Sequence, residues 1–307
     1  MKELENNAPR VKKNGFWVDL FAGYLMGIAF IIPGFSGGSI AAIVGIYERL
    51  INAITDIFKD FKASIKTLLP VGIGLVLGAV SLLYPLKLAL AWAPLPTVSL
   101  FVGLALGGMF SITDRLRGKI TATNIFALGI PLVSAAALCF IPTGADVNLY
   151  ALDFGGYVLL FAVGLIGSVA LVIPGISGSM LLLILGYYNP IIDVVTNHLF
   201  KFQDVGVSVL VLGVTALGIA VGFVLVSIIM KWLLSRCPRG TYFAIVGFII
   251  GSIPAAFIST AKDAKMTLDT LPSSPFHWVA CALLLLIGFT AALLFIIKVK
   301  KLRNMDE

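Results

Sequence analysis

Charge is scarce in this 307-residue chain: Asp, Glu, Lys and Arg together make up 12% of it, against 59% hydrophobic residues. At a mean hydropathy of +1.05 there is too little polar surface to cover a soluble globule. Soft metal ligands are just as few. The three cysteines, Cys139, Cys237 and Cys281, lie far apart without a C-x-x-C pair, and only His198 and His277 stand beside them. Neither a disulfide framework nor a structural metal is expected, and no cofactor. The 15 acidic residues do not group into acid/base or metal clusters, and neither histidine has a carboxylate close by in sequence, which argues against an enzyme. The net charge of +7 comes from basic residues in loops and tails, not from a basic stripe interleaved with aromatics, so a nucleic-acid partner is set aside. What remains is an all-α polytopic membrane protein.

What the chain does have is one unusual phrase written twice. Ile32-Pro33-Gly34-Phe35-Ser36-Gly37-Gly38 returns as Ile173-Pro174-Gly175-Ile176-Ser177-Gly178-Ser179. The register then holds at a constant offset of 141, with Ile43, Gly45, Tyr47 and Gly72 falling opposite Ile184, Gly186, Tyr188 and Gly213. Further on, Val102-Gly103 and Gly107 match Val246-Gly247 and Gly251 at a slightly larger offset. Hydropathy marks ten apolar segments, at 16–32, 36–55, 67–90, 98–112 and 124–141 and again at 157–173, 177–197, 207–230, 241–258 and 276–297. Two homologous units of five segments follow. The polar start and the lack of a small-residue cleavage site after Phe16 predict an uncleaved amino terminus.

Lys and Arg fix the expected orientation. Seventeen of the 22 fall on one side if the amino terminus is cytoplasmic, in the two tails and around Lys59–Lys66, Arg115–Lys119 and Lys231–Arg239. The opposite side receives only Lys201, Lys262 and Lys265, while Lys87 and Arg49 lie near or inside segments. The first unit then starts inside and ends outside, and the second does the reverse. The predicted architecture is two inverted-topology repeats, each a broken or re-entrant helix hairpin plus three transmembrane helices. The expected divisions are a cytoplasmic tail at 1–15, repeat one at 16–141 with its hairpin at 16–55, an extracytoplasmic linker at 142–156, repeat two at 157–297 with its hairpin at 157–197, and a cytoplasmic tail at 298–307. Hairpins are favoured over crossings because the first segment of each unit offers only about 17 residues before its Pro-Gly break, where a full span needs about 20. Interrupted helices at matching places in two inverted halves are the frame of alternating-access transporters. Small residues four apart, as in Gly23/Gly27, Gly103/Gly107 and Gly247/Gly251, predict close helix packing.

In each phrase the proline ends one arm, glycine frees the turn, and serine stands where a second helix begins: Pro33 and Gly34 before Ser36, Pro174 and Gly175 before Ser177. The first turn of that helix, at Ser36, Gly37, Gly38 and Ser39 and at Ser177, Gly178 and Ser179, carries N–H groups without intrahelical partners. With glycine leaving them uncovered and the helix dipole adding partial positive charge, both starts suit an anion, phosphate above all. The alternative is that the serines only cap and the glycines only pack.

Glu48 and Arg49 are adjacent opposite charges within an apolar segment, where charge is costly and points to an interior or a wet pathway. Arg49 offers a planar fork of donors to a phosphate, or else reaches lipid headgroups at the segment's end. The second copy has Asn189-Pro190 there instead, so the halves are not chemically symmetric. Tyr47 and Tyr188 present hydroxyls to the same cavity, or anchor at the interface. Asp19, early in the first arm, is a candidate for titration during transport or a first-turn carboxylate.

The phrase P-G-x-S-G-G running into G-I-Y-E-R, Pro33 to Arg49, and its echo P-G-I-S-G-S running to G-Y-Y-N-P, Pro174 to Pro190, resemble a bacterial and archaeal membrane family once known only as a domain of unknown function and later assigned as polyprenyl-phosphate transporters. The likeness runs from about Phe16 to Ile297. The resemblance implies a plasma-membrane flippase that returns undecaprenyl phosphate from the outer to the cytoplasmic leaflet for cell-envelope synthesis. The phosphate would rest on the bare amides of the two phrases, with Arg49, while the tail stays in lipid; a proton or ion is a possible coupling partner. A small-anion transporter or channel is the alternative, and a lipid phosphatase a more distant one.

Overall fold

The computed structural model describes residues 15–31, 37–142, 144–174, 176, 178–195, 204–263 and 274–305. Among them there is helix and no strand. The first half comprises α1 (Phe16–Ile31), α2 (Gly37–Val44), α3 (Tyr47–Thr55), α4 (Phe61–Trp92), α5 (Pro94–Gly108), the short α6 (Thr113–Leu116) and α7 (Ala122–Ala137). The second comprises α8 (Phe154–Val172), α9 (Gly178–Ile184), α10 (Tyr188–Asp193), α11 (Val205–Arg236), α12 (Pro238–Asp263) and α13 (Pro275–Met305). Among the described residues five helices are long and apolar enough to cross a bilayer: Phe61–Leu82 of α4, Phe154–Val172, Val205–Arg236, Pro238–Ile258 of α12 and Pro275–Ile297 of α13. The chain is a multi-pass membrane protein.

Several helices outrun the apolar segments that mark them. α4 begins six residues before its segment because Asp60 caps it, its carboxylate accepting from the Ala63 N–H at 3.1 Å. Thr121 and Asp153 start α7 and α8 in the same way. α4 and α5 hinge at Ala93, where Pro94 opens the new helix at a position that needs no N–H donor.

The segments at 36–55 and 177–197 are not continuous arms. Each is cut at a glycine with positive φ, Gly45 at 81° and Gly186 at 78°. The cut is a Schellman turn in both halves. Gly45 N–H donates to Ala42 O and Ile46 N–H to Ala41 O; Gly186 N–H donates to Leu183 O and Tyr187 N–H to Leu182 O. The offset of 141 thus persists into backbone hydrogen bonding. Beyond the cut, α3 is amphipathic: Tyr47, Leu50, Ile51 and Ile54 are buried while Glu48, Asn52 and Thr55 turn elsewhere.

Helix pairing repeats as well. α1 packs along α4 and α8 along α11, with α2 lying against α1 and α9 against α8. In lipid the apolar surface gains nothing by leaving the solvent, so such contacts depend on close packing. A side chain at Gly23 would run into the Val71 carbonyl and one at Gly78 into that of Tyr24; Gly164 and Gly218 meet the Thr215 and Phe161 carbonyls in the same manner. The remaining helices are exchanged between halves: α5 packs on α13, and α12 on α7. Gly103 lies against Leu285 while its counterpart Gly247 lies against Leu128. The main core gathers around α2 and α3, where Ala41, Ile46, Tyr47 and Ile51 meet Val172 of α8 and Tyr242 and Ile245 of α12.

Candidate functional site

α2 starts inside the protein. Gly37, Gly38 and Ser39, its first turn, are buried, and the helix touches both α1 and α8. α8 ends nearby at Val172, followed by Ile173 and the fully buried Pro174. The Tyr47 hydroxyl donates to the Val172 carbonyl at 2.9 Å, one of the four acceptors that a helix end leaves open. Gly38, Tyr47, Leu171 and Val172 line one cavity of about 430 Å³, so part of the first phrase and the residues leading into the second border the same space. Gly178 and Ser179 form the first turn of α9. Ser36, Ser177, Pro33, Gly34 and Gly175 lie outside the described residues.

The polar side chains of α3 are tied to four other elements. Arg49 forms an ion pair with Asp19 of α1, both side chains being mostly buried, at 13% and 5% exposure. Glu48 does not serve as its partner: Glu48 accepts from the Tyr242 hydroxyl of α12 at 2.6 Å and lies 3.4 Å from Arg115 of α6. At the far end Lys231 of α11 reaches Asp56 at 2.6 Å and the Thr55 hydroxyl at 3.1 Å. Two opposite charges on separate apolar segments, Asp19 and Arg49, are a pairing that intramembrane cost alone points to. Tyr242, Arg115 and Lys231 carry no such mark in the sequence. Tyr47 contributes its ring to the cavity wall, its hydroxyl being engaged.

The second half differs at the matching place. Asn189 and Pro190 border a separate cavity of mixed lining, about 480 Å³, together with Asp146, Asn148, Tyr150 and Asp193. Asn189 donates to Asp146 at 3.2 Å and the Tyr150 hydroxyl to Asp193 at 3.3 Å. Partial desolvation, with the Asp193 carboxylate beside it, pushes the Tyr150 hydroxyl up to about 12. Residues 144–147 press on the α9–α10 turn: Gly144 N–H donates to Leu183 O and Ile184 O, and Val147 N–H to Gly186 O. Tyr188 is half-buried and lines neither cavity.

Among the described residues no three His, Cys, Asp or Glu side chains come together as a metal site. A multi-pass helical protein with helices broken at an internal cavity, and with ionic contacts holding a short helix against that cavity, has the build of a membrane transporter. The comparisons narrow the class. Residues 26–271 match the family described as VCA0040-like, undecaprenyl phosphate translocase-like, and the chain belongs to that family. A curated relative, the polyprenyl-phosphate transporter of Staphylococcus aureus (strain NCTC 8325 / PS 47), is 27% identical over 282 residues, covering 90% of this chain and 95% of its own. The chain is thus grouped with transporters and not with enzymes. No solved structure matches it.

Proposed function

We propose that this protein carries polyprenyl phosphate, undecaprenyl phosphate in particular, across the plasma membrane from the outer to the cytoplasmic leaflet for reuse in cell-envelope synthesis. The observation that carries the reading is the meeting of Gly38, at the buried start of α2, with Leu171 and Val172, at the broken end of α8, around one cavity. A helix start that exposes amide donors inside an apolar protein favours a phosphate over any neutral headgroup. On this reading the phosphate rests on the amides of Ser36 to Ser39 and Ser177 to Ser179, and Arg49 exchanges Asp19 for the lipid phosphate during the cycle.

The repeated pairing of α1 with α4 and α8 with α11, and the exchange of α13 and α7 between α5 and α12, support two repeated units, and the one-sided placement of Lys and Arg supports their inversion with both termini cytoplasmic. The contacts of α2 with α1 and of α9 with α8 support re-entrant hairpins at 16–55 and 157–197. Such hairpins give the headgroup a polar station at mid-membrane while the outer helices hold the bilayer. The relative's printed name favours a lipid phosphate over a free inorganic anion.

Reconstituted vesicles test the reading. Wild-type protein moves a polyprenyl phosphate between leaflets and leaves inorganic phosphate behind. Arg49→Ala and Ser36→Ala insert normally and lose most of that movement. Wild-type rates in both variants overturn the site; transport of inorganic phosphate in place of the lipid overturns the substrate.

A further inference from the structure

We infer that the cavity of about 430 Å³ beside α2 is a hydrocarbon subsite that takes the isoprene units next to the phosphate, so that the protein reads the branched tail as well as the headgroup. The inference rests on the proposed transport of polyprenyl phosphate and deepens it. It departs from the expectation that the whole tail stays in lipid.

Three observations carry it. The cavity touches Gly38 in the first turn of α2, so whatever fills it is continuous with a headgroup held on those amides. Its walls are otherwise apolar, with Met26 of α1, Ala41 of α2, Leu50 and Ile54 of α3, and Val71 and Leu75 of α4. Among the described residues Tyr47 brings the one side-chain hydroxyl of the lining, and that hydroxyl is already bonded to Val172 O. Among the described residues no side-chain donor is left to reward a polar occupant, and a volume of this size is that of a ligand site, not a packing flaw.

The third observation is Gly72, in the interior of α4. Glycine there costs helix stability, and unlike Gly74 and Gly78 it has no packing reason, since a Cβ at Gly72 would meet nothing within 4 Å. Gly72 both lines the cavity and is exposed on the outer face of α4 beside Leu69, Ile73 and Val76. Its missing side chain leaves a gap through which a chain can pass from cavity to lipid. Small residues at Gly38, Ala41 and Gly72 widen the space where methyl branches would sit. The matching Gly213 of α11 is equally open and lines neither described cavity, which makes it the internal control.

The experiment compares a polyprenyl phosphate with a straight-chain alkyl phosphate of similar carbon number in vesicles bearing wild type, Gly72→Phe or Gly213→Phe. Wild type prefers the polyprenyl phosphate, Gly72→Phe loses that preference by about tenfold, the scale of discrimination a hydrophobic pocket supplies, and Gly213→Phe behaves as wild type. Equal rates in all three proteins, or equal losses in both variants, overturn the subsite. A wild type that moves no polyprenyl phosphate overturns the transport reading instead, and is told apart by that blank. A second measurement needs no variant: a polyprenyl phosphate with a photoreactive group on its first isoprene labels α1 and α4 at Met26 and Leu75. Labelling no different from that of a probe carrying the group at the tail's far end overturns the subsite.

Discussion

The turn after α2 and the turn after α9 share a backbone and differ in the contacts made around it. Both are Schellman turns on a positive-φ glycine. Around Gly45 there is open space, and the helix beyond it is held by ionic and hydroxyl contacts from α1, α6, α11 and α12. Around Gly186 the linker closes in, and the polar contacts beyond it, Asn189 with Asp146 and Tyr150 with Asp193, are exposed. The bend is common to both, where geometry permits few residues. The charges are not, and each side is free to specialise. The first turn is held by bonds that water or a phosphate can replace, the second by a strap of backbone.

The largest effect should come from splitting the ion pair on the first side. Asp19→Ala leaves Arg49 buried and uncompensated and is expected to cost about 3–5 kcal/mol, read as a loss of thermal stability in detergent. Asp19→Ala combined with Arg49→Leu recovers most of that stability without recovering transport. Equal instability in single and double variants would show that the pair is not what holds α3.

A smaller difference separates the two glycines. Gly45→Ala meets open space and pays only for its left-handed backbone, about 1–2 kcal/mol. Gly186→Ala meets the same strain and also the Ala145 carbonyl, so it should melt lower than Gly45→Ala in a side-by-side unfolding scan. The smallest is the hydroxyl: Tyr47→Phe removes the bond to Val172 O and costs about 1 kcal/mol. Tyr188→Phe, half-buried outside both cavities, should leave stability unchanged, and equal losses from the two would remove the distinction drawn between the halves.

The helical class and the glycine packing were readable because each leaves a local mark: long apolar runs, small residues four apart. The glycine breaks at Gly45 and Gly186 escaped hydropathy, since a run of apolar residues looks the same with or without a left-handed residue in it. Their mark was present in the constant offset of 141, which a single glycine in one copy would not have supplied. Glu48 and Arg49 were singled out as adjacent charges, but which partners they take depends on tertiary packing. Tyr242 stands 194 residues from Glu48 and carries no local sign of the contact. The same holds for the exchange of α13 and α7, since hydropathy gives the helices but not which ones lie side by side.

That exchange has a consequence for biosynthesis. α5 emerges early, yet the helix its glycine face fits, α13, leaves the ribosome long after it. Until α13 has been made, the groove at Gly103 and Gly107 has only acyl chains to fill it, so the first half is inserted long before it is finished. A stop codon ahead of Pro275 would therefore damage the early helices as much as the late ones.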